Sequence, residues 1–275
     1  MATTVGILDS GVGGLTVASA LHRLLPALPI RYVADSAGFP YGDCAEAAVT
    51  TRVLAIAERL IAEGCGLLVV ACNTASSAAL EALRSRLAVP IVGMEPPLKP
   101  AVAGSARGHV AVLVTPATAR GRRLARLAEE HAAGARVEIV PMPGLADLVE
   151  AGAVEGVEVE QALREALAGP LDRGIDAVAL GCTHYGLVRP ALARLLPAGV
   201  RALDAAEPVA RRARQLLEEG GVLPAADAPP AEVGCATTGD PRALARTIER
   251  LRAAGAELPP LALAAEPFSL AGVAT

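Results

Sequence analysis

A chain of 275 residues has room for two packed domains of ordinary size or for one large α/β domain, and either can bury a site. Hydrophobic residues make up 53% of it, yet no apolar run approaches the roughly 20 residues of a membrane span, and the opening Met-Ala-Thr-Thr lacks the basic stretch of a signal peptide. A net charge of −4, scattered basic residues and 2% aromatics argue against nucleic acid as a partner, and five cysteines argue against a disulfide framework, so a cytoplasmic protein is expected.

The first strand is expected at residues 5–9, inside the run Gly6-Ile-Leu-Asp-Ser-Gly-Val-Gly-Gly14. The dinucleotide fingerprint G-x-G-x-x-G fails there, because Thr16 stands where the third glycine belongs and Asp9 would repel a pyrophosphate. The turn reads instead as a nest of backbone N–H groups at a helix N-terminus, suited to a substrate carboxylate, with Asp9 and Ser10 facing the same pocket. A plain tight turn explains the glycines but not the Asp-Ser pair.

Further strands are expected at 30–34, 67–71, 91–93, 110–114, 136–140, 176–180, 201–203 and 232–236. Helical periodicity falls between them at 16–25, 45–63, 75–87, 121–131, 157–167, 190–196, 208–218 and 242–253. This alternation implies an α/β fold with mainly parallel sheets, its ligands at the carboxyl ends of strands. Lys99 is the single lysine among 25 basic residues, and so the one anchor for a pyridoxal phosphate Schiff base. Pro100 biases it away from helix, and a solvated loop lysine is the expectation. Pro259, Pro260 and Pro267 suggest an irregular C-terminal segment without an assigned role.

Two stretches repeat. Gly64-Cys-Gly-Leu-Leu-Val-Val-Ala-Cys72 and Gly174-Ile-Asp-Ala-Val-Ala-Leu-Gly-Cys182 each run from a glycine through an apolar strand to a cysteine eight residues on. A hydroxyl-bearing turn follows each, Asn73-Thr74 and Thr183-His184, then a helix, a short strand and a Glu-Pro pair. The repeat implies two similar domains related by a pseudo-twofold, with the active site in the interdomain cleft. Residues 1–96 plus 208–275 would form one and residues 97–207 the other.

Both cysteines fall at expected helix N-termini, where partial positive charge favours thiolate. A lone cysteine of this kind reads most simply as a small buried apolar residue, but two in equivalent turns point to acid/base chemistry. Asp9 and His184 are the titratable neighbours of the two thiols, and a histidine two residues from a base can orient it or share its proton. No metal site is expected, since Cys182-Thr-His184 lacks ligand spacing, and Cys44, Cys65 and Cys235 read as bland.

The chain resembles the glutamate racemases of the Asp/Glu racemase family over nearly its whole length. The resemblance is carried by Asp9-Ser-Gly-Val-Gly-Gly-Leu-Thr16, Phe39-Pro-Tyr-Gly42, Ala71-Cys-Asn-Thr-Ala-Ser76 and Thr115-Pro-Ala-Thr118, then by Pro143-Gly-Leu, Leu148-Val-Glu150, Gly181-Cys-Thr-His-Tyr185 and Thr238-Gly-Asp-Pro241. It implies conversion of L-glutamate to D-glutamate for peptidoglycan, no cofactor, and a homodimer. On matching positions it implies Cys72 and Cys182 as catalytic acid/bases assisted by Asp9 and His184. Substrate contacts are implied at Asp9, Ser10, Tyr41, Gly42, Asn73, Thr74, Thr118, Thr183 and His184, with Thr115 a further contact. Asp43, Cys44 and Ala45 depart from the family pattern after Pro-Tyr-Gly, as do Gly186 and Ala205-Ala206, and this bears on loop closure and subunit contacts more than on chemistry. The rival readings are a racemase of the same fold acting on aspartate or another amino acid, and a ligand-binding or regulatory protein without turnover, touching a partner such as DNA gyrase.

Overall fold

The computed structural model describes residues 3–132 and 134–270. The first half runs β1 (Thr4–Asp9), α1 (Leu15–Leu24), β2 (Ile30–Ala34), α2 (Glu46–Ala62), β3 (Cys65–Val70), α3 (Asn73–Arg86) and β4 (Ile91–Val92). A second series follows: α4 (Leu98–Ala103), β5 (His109–Val114), α5 (Pro116–Arg120), α6 (Arg122–His131), β6 (Arg136–Pro141), α7 (Leu145–Glu150), α8 (Val157–Asp172), β7 (Ala177–Leu180), α9 (Thr183–Leu187), α10 (Arg189–Leu195) and β8 (Arg201–Leu203). The chain ends with α11 (Ala206–Glu219), β9 (Val233–Thr237), α12 (Pro241–Ala253) and β10 (Leu261–Leu263).

Among the described residues all strand pairs are parallel, in two sheets ordered β10-β9-β2-β1-β3-β4 and β6-β5-β7-β8. The second order repeats the β2-β1-β3-β4 portion of the first, element for element, and β9 and β10 extend the first sheet beyond β2. The internal repeat therefore extends from a stretch of sequence to a topology. Cys72 follows β3 and Cys182 follows β7, the corresponding strands.

Strands buried on both faces explain the near-continuous apolar runs. In β1, Val5 and Ile7 join the central core while Leu8 faces a second cluster with Val53, Leu60 and Leu68. That central core is continuous from the first sheet, through Ile7, Leu67 and Val69, to Leu113, Val178 and Leu180 of the second. A third cluster, with Leu98, Val110, Val112 and Leu124, covers the other face of the smaller sheet. Burial of this kind holds both sheets against one apolar layer at about 25 cal/mol per Å² removed from water.

Two expectations are corrected here. Lys99 is helical, because Pro97 is the N-cap of α4 and Pro100 falls in its first turn, where a missing N–H costs no intrahelical hydrogen bond. The proline-bounded C-terminal segment contains β10, which pairs with β9 through Leu261, Ala262 and Leu263 as an edge strand. Prolines are tolerated beside an edge strand of three residues.

Candidate active site

The corresponding cysteines share a backbone conformation: Cys72 has φ −140° and ψ 128°, Cys182 φ −142° and ψ 138°, and each is the N-cap of its helix. Gly64 and Gly174, eight residues earlier, both adopt positive φ, +92° and +87°. Glycine meets that requirement without a Cβ penalty, so the repeat is built into the turns as well as the strands.

Both cysteines line one cavity of about 170 Å³, together with Ser10, Tyr41, Gly42, Asn73, Thr74, Thr115, Thr118, Thr183 and His184. Asp9 does not line it. The residue is fully buried, with Oδ2 accepting hydrogen bonds from Gly14 N (2.6 Å) and Thr183 Oγ1 (3.5 Å). Among the described residues its Oδ1 has no partner. Burial pushes its carboxyl up from 3.8 to about 6, against the opposing pull of His184 and the Gly14 N–H.

The nest expected to receive a substrate carboxylate holds carboxylates of the chain itself. Gly14 N–H donates to Asp9, and Val12 N–H donates to Glu150 Oε1 at 2.6 Å. The glycines serve close approach: a Cβ on Gly11 would lie 1.8 Å from Glu150 Oε1, and one on Gly13 would lie 2.6 Å from the His184 backbone nitrogen.

The two thiols have unlike surroundings. Cys72 is buried, accepts from Ala75 N at 3.5 Å and donates to Ser10 Oγ at 3.7 Å. Burial first, and then the Asp9 carboxylate, push its thiol well above the usual range, so the helix N-terminus alone does not make it a thiolate. Cys182 Sγ is 3.6 Å from His184 Nδ1, and His184 Nε2 is 2.6 Å from Glu150 Oε1. Burial pulls the imidazole down, but its hydrogen bonds to Cys182 and Glu150 more than offset this and hold it well above its ordinary value. Phe39 covers the ring, with centroids 5.6 Å apart.

Tyr41 reaches the cavity from a tied-down loop. Its hydroxyl donates to Asp35 Oδ2 at 2.6 Å, and buried Asp35 also takes Arg52 Nε at 2.7 Å, Arg52 Nη2 at 2.6 Å and the Thr238 hydroxyl. Sequence reasoning assigned no role to Glu150, Asp35 or Arg52. Glu150 lies 34 residues from the ring it holds, and its one signal was its place in Leu148-Val-Glu150.

Lys99 is exposed and lines a different cavity, so it does not meet the thiols. Among the described residues no group of three or more His, Cys, Asp or Glu side chains is arranged to hold a metal ion, and no helix is long and apolar enough to cross a membrane.

The family model described as Asp/Glu/Hydantoin racemase matches residues 12–213. A glutamate racemase from Roseiflexus sp. is 43% identical over 251 residues, 91% of this chain and 92% of that one. Among solved structures, Escherichia coli glutamate racemase in complex with L-glutamate and the activator UDP-MurNAc-Ala matches at TM-score 0.82 and 32% identity, covering 95% of this chain and 97% of that one. Francisella tularensis glutamate racemase in complex with D-glutamate matches at TM-score 0.80 and 28% identity, with 98% of each chain covered.

Proposed function

The chain belongs to the Asp/Glu/hydantoin racemase family and is an amino-acid racemase, an isomerase, and we propose that Cys72 and Cys182 carry out its interconversion of L- and D-glutamate. Inverting a stereocentre by deprotonation requires a base on each face of the α-carbon, because a single group tends to return the proton to the side it left. The observation that supports this reading most is that two thiols from corresponding strand ends line one cavity.

In each turnover one sulfur, as thiolate, takes the α-proton while the other, as thiol, delivers its own proton to the opposite face. The enzyme is left with the two states exchanged, ready for the reverse direction. A protonated His184, held by Glu150, puts positive charge against Cys182 Sγ. On the other side, burial and Asp9 favour the protonated form of Cys72, so the pair is polarised before substrate arrives. Backbone N–H groups, Asn73 and the hydroxyls of Ser10, Thr74, Thr115, Thr118 and Thr183 are the donors for the carboxylates, and exclusion of water strengthens each bond to the developing carbanion.

The division of the chain into residues 1–96 plus 208–275 and residues 97–207, the homodimer, and supply of D-glutamate for peptidoglycan belong to the same proposal. The cytoplasm is the compartment proposed, because the chemistry needs both thiols reduced and that compartment keeps them so. The test is deuterium exchange at the α-carbon of L- and D-glutamate in D₂O, followed by circular dichroism. Cys72→Ala and Cys182→Ala are each expected to lose racemisation by several orders of magnitude, and full turnover by either single variant ends the two-thiol reading.

A further inference from the structure

The cavity that holds the two thiols contains no arginine or lysine among its described lining residues. Its charged side chains are Asp43 and Asp147, which repel an anion, and His184, already paired with Glu150. Apart from His184, a dicarboxylate therefore meets only neutral donors inside. Neutral donors bind through short, directed hydrogen bonds, but they exert no pull across solvent.

Beside this cavity lies a second one of about 290 Å³ that shares Tyr41, Gly42, Asn73, Thr74, Ala117 and Thr118 with it. The second cavity adds two cations, Arg120 and Arg123. Arg123 is neutralised by an ion pair with Glu95. Arg120 is exposed at the last residue of α5, and among the described residues its guanidinium has no hydrogen-bond or ion-pair partner. Thr118, two residues earlier on the same helix, lines both cavities. Glu46 is the opposing carboxylate in the outer lining, and it lies in the first turn of α2, where the helix dipole offsets its charge.

The geometry points to an outer carboxylate subsite centred on Arg120, which captures the dicarboxylate substrate and passes it over Thr118 into the catalytic cavity, whose described lining offers no arginine or lysine. This inference rests on the racemase reading and adds to it a division of labour. A guanidinium in solvent attracts an anion across about a Debye length, about 10 Å at 0.1 M salt. Inside a closed cavity the same group would demand desolvation and would bind the ground state as tightly as anything that follows it. Capture outside and recognition inside avoid both costs.

The subsite makes a specific kinetic claim. A group met only in transit lowers the barrier to entry and exit equally, so it changes both rate constants and leaves the equilibrium constant alone. The probe is ¹³C-labelled glutarate, a dicarboxylate with no α-amine to react, with association and dissociation rates read by NMR exchange. In Arg120→Gln both rate constants are expected to fall together by about three- to tenfold at low ionic strength, with Kd unchanged, and the difference should vanish at 1 M salt, where the Debye length is about 3 Å. Arg242→Gln, which removes an exposed charge lining neither cavity, is the control and should leave both rates as they are. A weaker Kd from faster dissociation alone would put Arg120 in the catalytic cavity and overturn the outer subsite, as would unchanged rates in Arg120→Gln or an equal effect from Arg242→Gln. Deuterium exchange at the α-carbon stands or falls independently of these rates, so failure of the subsite and failure of the racemase mechanism are distinguishable.

Discussion

His184 Nε2 lies 2.6 Å from Glu150 Oε1, and the same oxygen accepts Val12 N–H at 2.6 Å. Glu150→Gln keeps the shape and the acceptor for Val12 while removing the negative charge that faces the ring. A hydrogen bond to a charged group contributes about 1.5–3 kcal/mol and a neutral one about 0.5–1.5, so the change withdraws about 1–2 kcal/mol from the protonated imidazole. At about 1.4 kcal/mol per tenfold, kcat/KM should fall roughly 5- to 30-fold. Enantiomers have equal free energy, so kcat/KM must stay equal for L- and D-glutamate in any variant, and direction has to be read from the isotope effect. His184 touches Cys182 and not Cys72, so the loss concentrates on proton transfer at one sulfur. With α-deuterated substrates followed by circular dichroism, the primary isotope effect should rise for the enantiomer that Cys182 deprotonates and fall for the other. Equal isotope effects in both directions, with kcat/KM reduced as expected, would refute the assignment of the Glu150-His184 pair to a single thiol.

Asp9→Asn reports on the buried carboxyl through stability as well as rate. A carboxyl raised from 3.8 to about 6 by burial favours folding fully below its unfolded value, and that contribution is lost as the pH rises through 6, so above 6 the charged group costs up to about 3 kcal/mol at about 1.4 per pH unit. The variant should thus gain thermal stability over the parent at pH 7.5 and little at pH 4, measured by thermal melts; an equal gain at both would contradict the burial argument. In Arg52→Gln, buried Asp35 loses its bidentate partner, at a cost of about 3–5 kcal/mol in urea unfolding, and KM should rise because Tyr41 shares that carboxylate. Gly11→Ala forces a Cβ into Glu150, so activity should fall at least tenfold while the melting temperature changes little; retention of full activity would show that Glu150 can move at no cost.

Nine of the ten described strands were legible as short apolar segments set between stretches of helical period, residues 110–114 of β5 being the plainest. β10 was not, since three residues among prolines carry no period. The same limit hid α4, α5, α7 and α9, which have five or six residues each and less than two turns in which to show a 3.6-residue repeat. Pro100 misled because proline breaks a helix only past its first turn. In the site, residues adjacent to the strand ends were readable from their turns: Ser10, Cys72, Asn73, Thr74, Cys182, Thr183 and His184 are all within two residues of a strand end or helix start. Glu150 and the Asp35 anchor were not, because their partners come from 34, 17 and 203 residues away, and no local pattern encodes such a meeting. The nest was misread in part for the same reason: Glu150 reaches Val12 N–H from 138 residues away, whereas Asp9 takes Gly14 N–H from within the turn.

The repeat also explains what the two halves do not share. Equal strand order and nearly equal cysteine dihedrals give each thiol the same approach to the cavity, which a reaction between mirror-image molecules requires of its geometry. The register Leu8–Val70 in one sheet and Leu113–Leu180 in the other makes Ser10 and Thr115 counterparts, one hydroxyl per half, both lining the cavity. Charge is where the halves part. Cys72 has a carboxylate behind it and Cys182 an imidazole beside it, so an interconversion with no net driving force begins from one preferred distribution of the proton. In a fully symmetric pair the proton would have no preferred sulfur. The unlike neighbours Asp9 and His184 set which sulfur holds the proton, Asp9 acting on Cys72 and Glu150 acting on Cys182 through His184.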